Sequence, residues 1–90
     1  MSSTPEPKQY KADAYGRPTY AHADVDGDRL LVAPAVITDP ATLADQAAPG
    51  IYFRTDPNGS SIPLADLPAF IARLSTIADT ARKEAEEANQ

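Results

Sequence analysis

Cysteine is absent from the 90-residue sequence, and histidine occurs only once, as His22. The lack of thiols excludes disulfides and thiolate metal sites, the two commonest stabilising devices of small folds. A single imidazole also excludes a paired-histidine metal site and limits any Ser/His/Asp arrangement to His22 itself. The sequence therefore predicts a protein that is not an enzyme and that binds no cofactor.

Glycine and long apolar runs are scarce as well. The four glycines are isolated, at residues 16, 27, 50 and 59, which suits turns and excludes a phosphate-cradling loop. No apolar run approaches the roughly 20 residues that cross a bilayer. Residues 1–11 are polar and carry prolines, unlike a signal peptide. A soluble cytoplasmic protein without membrane contact is expected.

Positively charged residues are also few. The chain has 8 Lys and Arg against 13 Asp and Glu, which gives a net charge of −5. Because the cations are mostly dispersed, nucleic acid is an unfavoured partner. A chain of this length buries only about 60–65% of its unfolded surface. Additional stabilisation is expected from a partner, either another protein or copies of the same chain in a homo-oligomer.

The N-terminal segment predicts an extended arm over residues 1–18, outside a domain of residues 19–83, because it has three prolines and no apolar period. Its tyrosines alternate with cations, so the arm would fill shallow pockets on a partner and meet its carboxylates. The alternative is a solvated tail. The predicted contact residues of the arm are Tyr10, Tyr15, Arg17 and Tyr20.

Residues 19–32 predict a first hairpin, closed by Asp26-Gly27 as a two-residue type I′ turn. This turn would pair Asp24 with Arg29 as an ion pair. One face would form a core surface, and the other face would hold this ion pair. The core face would carry Ala21, Ala23, Leu30 and Val32, and the other face Tyr20, His22 and Leu31.

The acidic run at residues 24–28 resembles the opening of a calcium loop, in which carboxylates alternate around the ion. The glycine that such a loop needs for its sharp turn would fall at Arg29, and the bidentate carboxylate would fall at Ala35. Both positions fail, and the hairpin turn accounts for Gly27 without an ion. No metal site is expected.

Two further elements are predicted before the last helix. Asp39-Pro40 indicates the start of a short connector helix over residues 40–47, which Pro49-Gly50 would end. Residues 51–64 predict a second hairpin around the Asp-Pro-Asn-Gly turn at 56–59. The pairing that places its apolar residues on one face sets Phe53 opposite Ile62. Its polar face would carry two contact residues, Tyr52 and Arg54.

A long C-terminal helix is predicted from the N-cap Asp66 onward, because apolar residues recur at three- and four-residue steps. Glutamates oppose the helix dipole near its end, so residues 84–90 are expected to fray. The helix would be about 30 Å long and a five-residue strand only about 17 Å. Its overhanging end would therefore contact a second copy or another protein, through Ile77, Ala78, Ala81 and Ala85.

These elements predict an α+β fold of two antiparallel β-hairpins, a short connector helix and a long C-terminal amphipathic helix packed on the sheet. Residues 50–74, GIYFRTDPNGSSIPLADLPAFIARL, resemble small uncharacterised proteins of actinobacteria and their phages in the order glycine, aromatic strand, turn, proline-leucine and helix. Such phage proteins are often structural or host-directed accessories. The resemblance implies an accessory role, virion-associated if the chain derives from a phage, and assigns no functional residue.

The function predicted is non-catalytic protein interaction or assembly. One alternative is an acidic inhibitor or nucleic-acid mimic that acts on a host protein. A second alternative is a small nucleic-acid-binding protein, in which the tyrosines of the arm stack on bases while Lys8, Lys11 and Arg17 neutralise phosphates. The acidic mimic would gather on one face Asp13, Asp24, Asp26, Asp28, Asp56 and Asp66.

Overall fold

Four strands and one long helix make up the computed structural model, which describes residues 7–38 and 46–90. The strands form one antiparallel sheet in the order β1-β2-β3-β4, and the helix packs across one face of it. The α+β class with a long C-terminal helix on the sheet is confirmed. The elements are β1 (Tyr10–Ala12), β2 (Pro18–Ala23), β3 (Arg29–Thr38), β4 (Ala47–Thr55), a 3₁₀ turn (Leu64–Asp66) and α1 (Leu67–Ala88).

The sheet begins before the predicted domain boundary at residue 19. β1 pairs with the start of β2, and Asp13 organises the turn between them. The Asp13 carboxylate accepts the backbone N–H groups of Tyr15 and Arg17 at 2.9 Å and the Arg17 side chain at 2.7 Å. Gly16, at φ 78°, supplies the left-handed conformation of this turn. Within the predicted arm, the strand β1 therefore forms part of the sheet.

β2 and β3 form the first hairpin, but its predicted register is wrong by one residue. The Asp24 N–H donates to the Asp28 carbonyl at 2.9 Å, so the loop holds three residues, 25–27, in place of two. Gly27 has φ 84°, and a type I turn followed by a left-handed residue is the usual three-residue alternative. Tyr20 consequently lies opposite Val32.

A slip of one residue exchanges the two faces of a strand. Tyr20, predicted on the outer face, is buried with only 1% of its surface exposed. Ala21 and Ala23, predicted in the core, lie on the opposite face. The predicted ion pair of Arg29 with Asp24 is also wrong, since Arg29 binds Asp56 at 3.1 Å.

The predicted pairing of residues 51–64 as a second hairpin is wrong. β4 pairs with β3 along all nine of its residues, which places Phe53 opposite Val32. Residues 60–63 belong to no strand, and Pro63 has no N–H for a ladder. The long apolar strand β3 offers far more burial than the short segment after the turn. The predicted connector helix lies outside the described residues except for its end, where Ala47 begins β4.

The core lies between α1 and the facing side of the sheet. Phe70 packs edge-on against Tyr20, with ring centroids 4.8 Å apart. Val32 and Ile77 complete the most deeply buried set. Tyr10 closes the core at the β1 edge, where its hydroxyl donates to the Ala69 carbonyl at 2.7 Å. Sheet and helix are therefore held together by apolar contact across the whole layer.

The predicted overhang of the helix does not exist. β3 has ten residues and α1 has 22, and both lengths correspond to about 33 Å. The chain itself buries Ile77, Ala81 and Ala85 to 3% exposure or less, and Ala78 is half-buried. Ile77, Ala81 and Ala85 therefore belong to the interior of the monomer, and Ala78 lies at its margin.

α1 continues to Ala88, through most of the segment 84–90 for which fraying is predicted. Asn89 fastens its end to the sheet: the side-chain amide accepts the Ala47 N–H at 2.7 Å and donates to the Ala47 carbonyl at 2.9 Å. Glu84 binds Arg17 at 3.0 Å. These tertiary contacts act against the fraying that glutamates at the negative end of the helix dipole favour.

Candidate functional site

The candidate site is the face of the sheet that points away from α1, which we call the open face. Side chains alternate between the two faces of a strand, and the buried Leu30 and Val32 mark the helix side of β3. The odd-numbered residues of β3 and their neighbours in register therefore lie on the open face. This face comprises Ala21, Ala23, Leu31, Ala33, Ala35, Ile37, Ala48, Gly50, Tyr52 and Arg54, with Lys11 and Thr19 at the β1 edge.

A shallow depression of about 510 Å³ lies on the open face. Ala21 and Ala33 form its floor, and their small side chains make the surface low in the middle. Leu31, Tyr52 and Lys11 rise around it. Tyr52 is 47% exposed and Ile37, farther along β3, is 50% exposed. The arrangement provides an apolar floor with a cation at its margin.

The electrostatics of the open face differ from those of the whole chain. Two carboxylates stand near its ends, and each is held by an arginine: Asp13 by Arg17 and Asp56 by Arg29. Within the described residues, Lys11 and Arg54 form no salt bridge. The face thus has an excess of positive charge on a protein whose net charge is −5.

The two arginine-bound carboxylates respond to acid in a defined direction. The hydrogen bond from Arg17 lowers the pKa of Asp13 below 3.8, and the hydrogen bond from Arg29 does the same for the pKa of Asp56. A carboxyl group whose pKa is lowered by folding stabilises the fold above its ordinary pKa. That contribution is lost as the pH falls through the lowered value.

We expect urea unfolding midpoints to be constant near neutral pH and to fall below about pH 4, where the ordinary aspartate titrates. A double variant, Asp13→Asn with Asp56→Asn, should start less stable at neutral pH and lose less stability on acidification than the wild type. Asp79→Asn, which removes an exposed partner of Arg82, is the matched control. Identical acid curves for the double variant and the wild type would contradict the assignment.

The structure separates most of the predicted contact residues. Tyr52 and Arg54 lie together on the open face. Tyr15 is 87% exposed in the β1–β2 turn, and Ala78 is half-buried beside β4. The side chains of Tyr10 and Arg17 are engaged within the chain, by Arg73 and Ala69 for the tyrosine and by Asp13 and Glu84 for the arginine. The buried members of the predicted set are Tyr20, Ile77, Ala81 and Ala85.

The tyrosine and cation array predicted for nucleic acid is not assembled. Tyr20 is in the core, and the Arg73 guanidinium lies 4.5 Å over the ring of Tyr10. Arg17 is neutralised by two carboxylates. Of the three tyrosines, Tyr15 alone keeps most of its surface exposed. A base-stacking platform needs several exposed rings in a row, and the described residues of the segment do not present one.

The six aspartates of the acidic alternative are not on one face. Asp24, Asp26 and Asp28 gather at the β2–β3 turn with carboxylate oxygens within 4.8 Å of one another, while Asp13 lies at the β1–β2 turn. Asp24 accepts the N–H groups of Asp26 and Asp28 at 2.9 Å and that of Ser61 at 3.2 Å. The carboxylate of Asp24 therefore holds the turn together.

A second depression, of about 580 Å³, lies beside β2 near the start of β1 and gathers His22 with Asp24 and Asp66. The Nε2 atom of His22 is 2.8 Å from the Ser61 carbonyl oxygen, to which it donates. Both oxygens of Asp24 already accept backbone N–H groups. Among the described residues, no carboxylate and no hydroxyl is hydrogen-bonded to the imidazole. Among the described residues, the hydrogen-bond partner of His22 is therefore a backbone carbonyl and not an acid or a nucleophile.

No family model, curated protein or solved structure matches the chain. The described helices include none that is both long enough and apolar enough to cross a membrane.

The residues of the open face that were not predicted from the sequence are those of β3, namely Leu31, Ala33, Ala35 and Ile37. The available signal was the unbroken apolar run of residues 30–37.

Proposed function

We propose that the protein is a non-catalytic interaction protein that binds an apolar segment of another protein on its open face. The observation that carries the proposal is the composition of β3, which is apolar at every position of residues 30–37. A strand with one covered face usually alternates between apolar and polar residues, whereas a continuous apolar run is typical of a strand covered on both faces. Here α1 covers one face only, and a partner would cover the other.

The chemistry of the open face favours a particular kind of partner. The alanines allow a second element to approach the sheet closely, and Leu31, Ile37 and Tyr52 supply apolar contact area. The side chain of Ile37 occupies the space over Gly50. Lys11 and Arg54 stand at opposite margins and would meet carboxylates. Charge complementarity of this kind selects partners and speeds their association. The partner is therefore an amphipathic segment with acidic residues along its edges, as expected for an accessory protein in an assembly.

The absence of cysteine makes a direct test possible. A single cysteine introduced as Ala33→Cys can carry a photo-crosslinker at the centre of the open face. In an extract of cells that express the protein, this position should yield one discrete adduct with another protein. Adding Lys11→Glu should weaken that adduct, because the change places a carboxylate where the partner presents its own.

The matched control is Val25→Cys, at a residue of the β2–β3 turn that is 99% exposed and does not line the depression around Ala33. This position should give no discrete adduct. The proposal fails if both positions give the same products, or if Lys11→Glu leaves the adduct from residue 33 unchanged. An adduct of twice the mass of the chain would show that a second copy lies within reach of residue 33, and it would not support the binding of another protein.

A further inference from the structure

β4 is the last strand of the sheet, so one of its two edges pairs with β3 and the other does not. The direction of its backbone groups follows from Asn89, which bonds both the N–H and the carbonyl of Ala47 from the side opposite β3. Backbone groups in a strand alternate in direction with a period of two. The residues Pro49, Ile51, Phe53 and Thr55 therefore present their backbone to this outer edge.

The chain closes part of the outer edge. Asn89 occupies the groups of Ala47, and Pro49 has no N–H to offer. Past Thr55 the strand ends in a turn, where the Asp56 N–H donates back to the Arg29 carbonyl at 3.1 Å. No described strand pairs with the segment that remains, residues 51–55. It is about the length of an average strand.

The open part of the edge is flanked by exposed apolar side chains on the helix side. Phe53 is 57% exposed and Ile71 is 54% exposed. Ala78 lies beside Gly50 and Ile51 of β4, and Ile71 precedes it by two turns on the same side of α1. Proteins usually protect such an edge with charge or proline. The outer edge of β4 is protected at Ala47 and Pro49 and is left unprotected over residues 51–55.

We propose that β4 pairs with β4 of a second copy, antiparallel, about a two-fold axis at Phe53. In this register Phe53 faces Phe53 of the second copy, and Ile51 faces its Thr55. Tyr52 faces Arg54 of the second copy on the side of the open face. The segment is self-complementary, because the axis brings aromatic onto aromatic and cation onto tyrosine, with no like charges directly opposite.

This interface is of the isologous kind, in which the same patch serves both copies and the assembly closes at a dimer. The two sheets would join into one, and their open faces would lie on the same side. The inference does not rest on the proposed function. The two share Tyr52 and Arg54, but the dimer is tested by the mass of the purified protein, whereas the open face is tested by an adduct with another protein at residue 33. A dimer would present two open faces to a partner at once.

The test is the solution mass of the purified protein by light scattering over a wide concentration range. The wild type should pass from monomer to dimer as its concentration rises. Tyr52→Lys places a lysine opposite Arg54 of the second copy, twice by symmetry, and should weaken the dimer by about tenfold. The double variant Tyr52→Lys with Arg54→Glu should restore it, because lysine then faces glutamate.

The matched control is Tyr15→Lys, the same change at a tyrosine in the β1–β2 turn, which should leave the dimer unaffected. Hydrogen exchange supplies a second readout: the amides of Ile51 and Phe53 should be protected in the dimer and exchange rapidly in the monomer. A monomer at every concentration overturns the inference. It is also overturned by a dimer in which these amides exchange rapidly and the double variant is no tighter than Tyr52→Lys.

Discussion

Replacing Ile77 by alanine is expected to lower the free energy of unfolding by about 2–5 kcal/mol. The side chain is fully buried, at 0% exposure, and it packs in one cluster with Tyr20, Leu30 and Val32. Truncation would leave a cavity between helix and sheet. Because a domain of this kind has a total stability of about 5–15 kcal/mol, the loss would be visible as a large shift of the urea midpoint followed by circular dichroism.

The matched control for Ile77 is Ile71→Ala, the same substitution on the same helix at a residue that is 54% exposed. We expect its effect to be below about 1 kcal/mol. The comparison also separates two views of residue 77. If this side chain were a contact to another molecule, as its position in the sequence suggested, its loss would dissociate a complex and leave a stable monomer. The structure instead requires an unstable monomer.

The second large effect is expected at Tyr20. Tyr20→Ala should cost about 3–5 kcal/mol, as for other buried aromatic side chains, because the ring contacts Phe70 and lies at the centre of the core. Tyr20→Phe should behave differently. The Tyr20 hydroxyl is buried without a hydrogen-bond partner among the described residues, and such a group costs about 1–3 kcal/mol. Tyr20→Phe should therefore be neutral or stabilising.

The dependence of the free energy of unfolding on alkaline pH provides a second test of Tyr20. Burial raises the pKa of Tyr20 above 10.0, with a further contribution from Asp66. A raised pKa means that folding favours the protonated phenol, so this stabilisation is present below pH 10 and is lost as the pH rises through the raised value. Tyr20→Phe should remove that part of the alkaline dependence. A clear loss of stability in Tyr20→Phe at neutral pH would show that the hydroxyl has a partner after all.

The hairpin turn at residues 25–27 shows why register escapes prediction from sequence. Asp26-Gly27 is compatible with a two-residue loop and equally with a three-residue loop that ends in a left-handed glycine. The turn chemistry alone does not distinguish them. The choice follows from the helix face, where the ring of Tyr20 gains a contact with Phe70 that Ala21 could not make. Burial of one large side chain thus selects the loop length.

The strand that pairs with β4 could not be predicted from the sequence either, because the pairing depends on more than the local turn. The Asp-Pro-Asn-Gly turn at residues 56–59 does form a turn, with the Gly59 N–H bonded to the Asp56 carbonyl at 2.8 Å. A turn does not require that a strand follow it. Pairing with β3 aligns nine residues, whereas a local hairpin would align four or five that include Pro63. The longer ladder also creates the open face, which was not foreseen because its residues come from segments far apart in sequence.

The sequence by itself determined the α+β class, the long amphipathic helix, the strands of the first hairpin and the positions of the turns, because these depend on local periodicity and on glycine and proline. It also placed Tyr52 and Arg54 on one polar face, although of a hairpin that the structure does not contain. Only the tertiary structure decided the register of β2, the partner of β4 and the burial of Ile77. Each of these depends on how much apolar surface distant segments bury against one another, which no local pattern records.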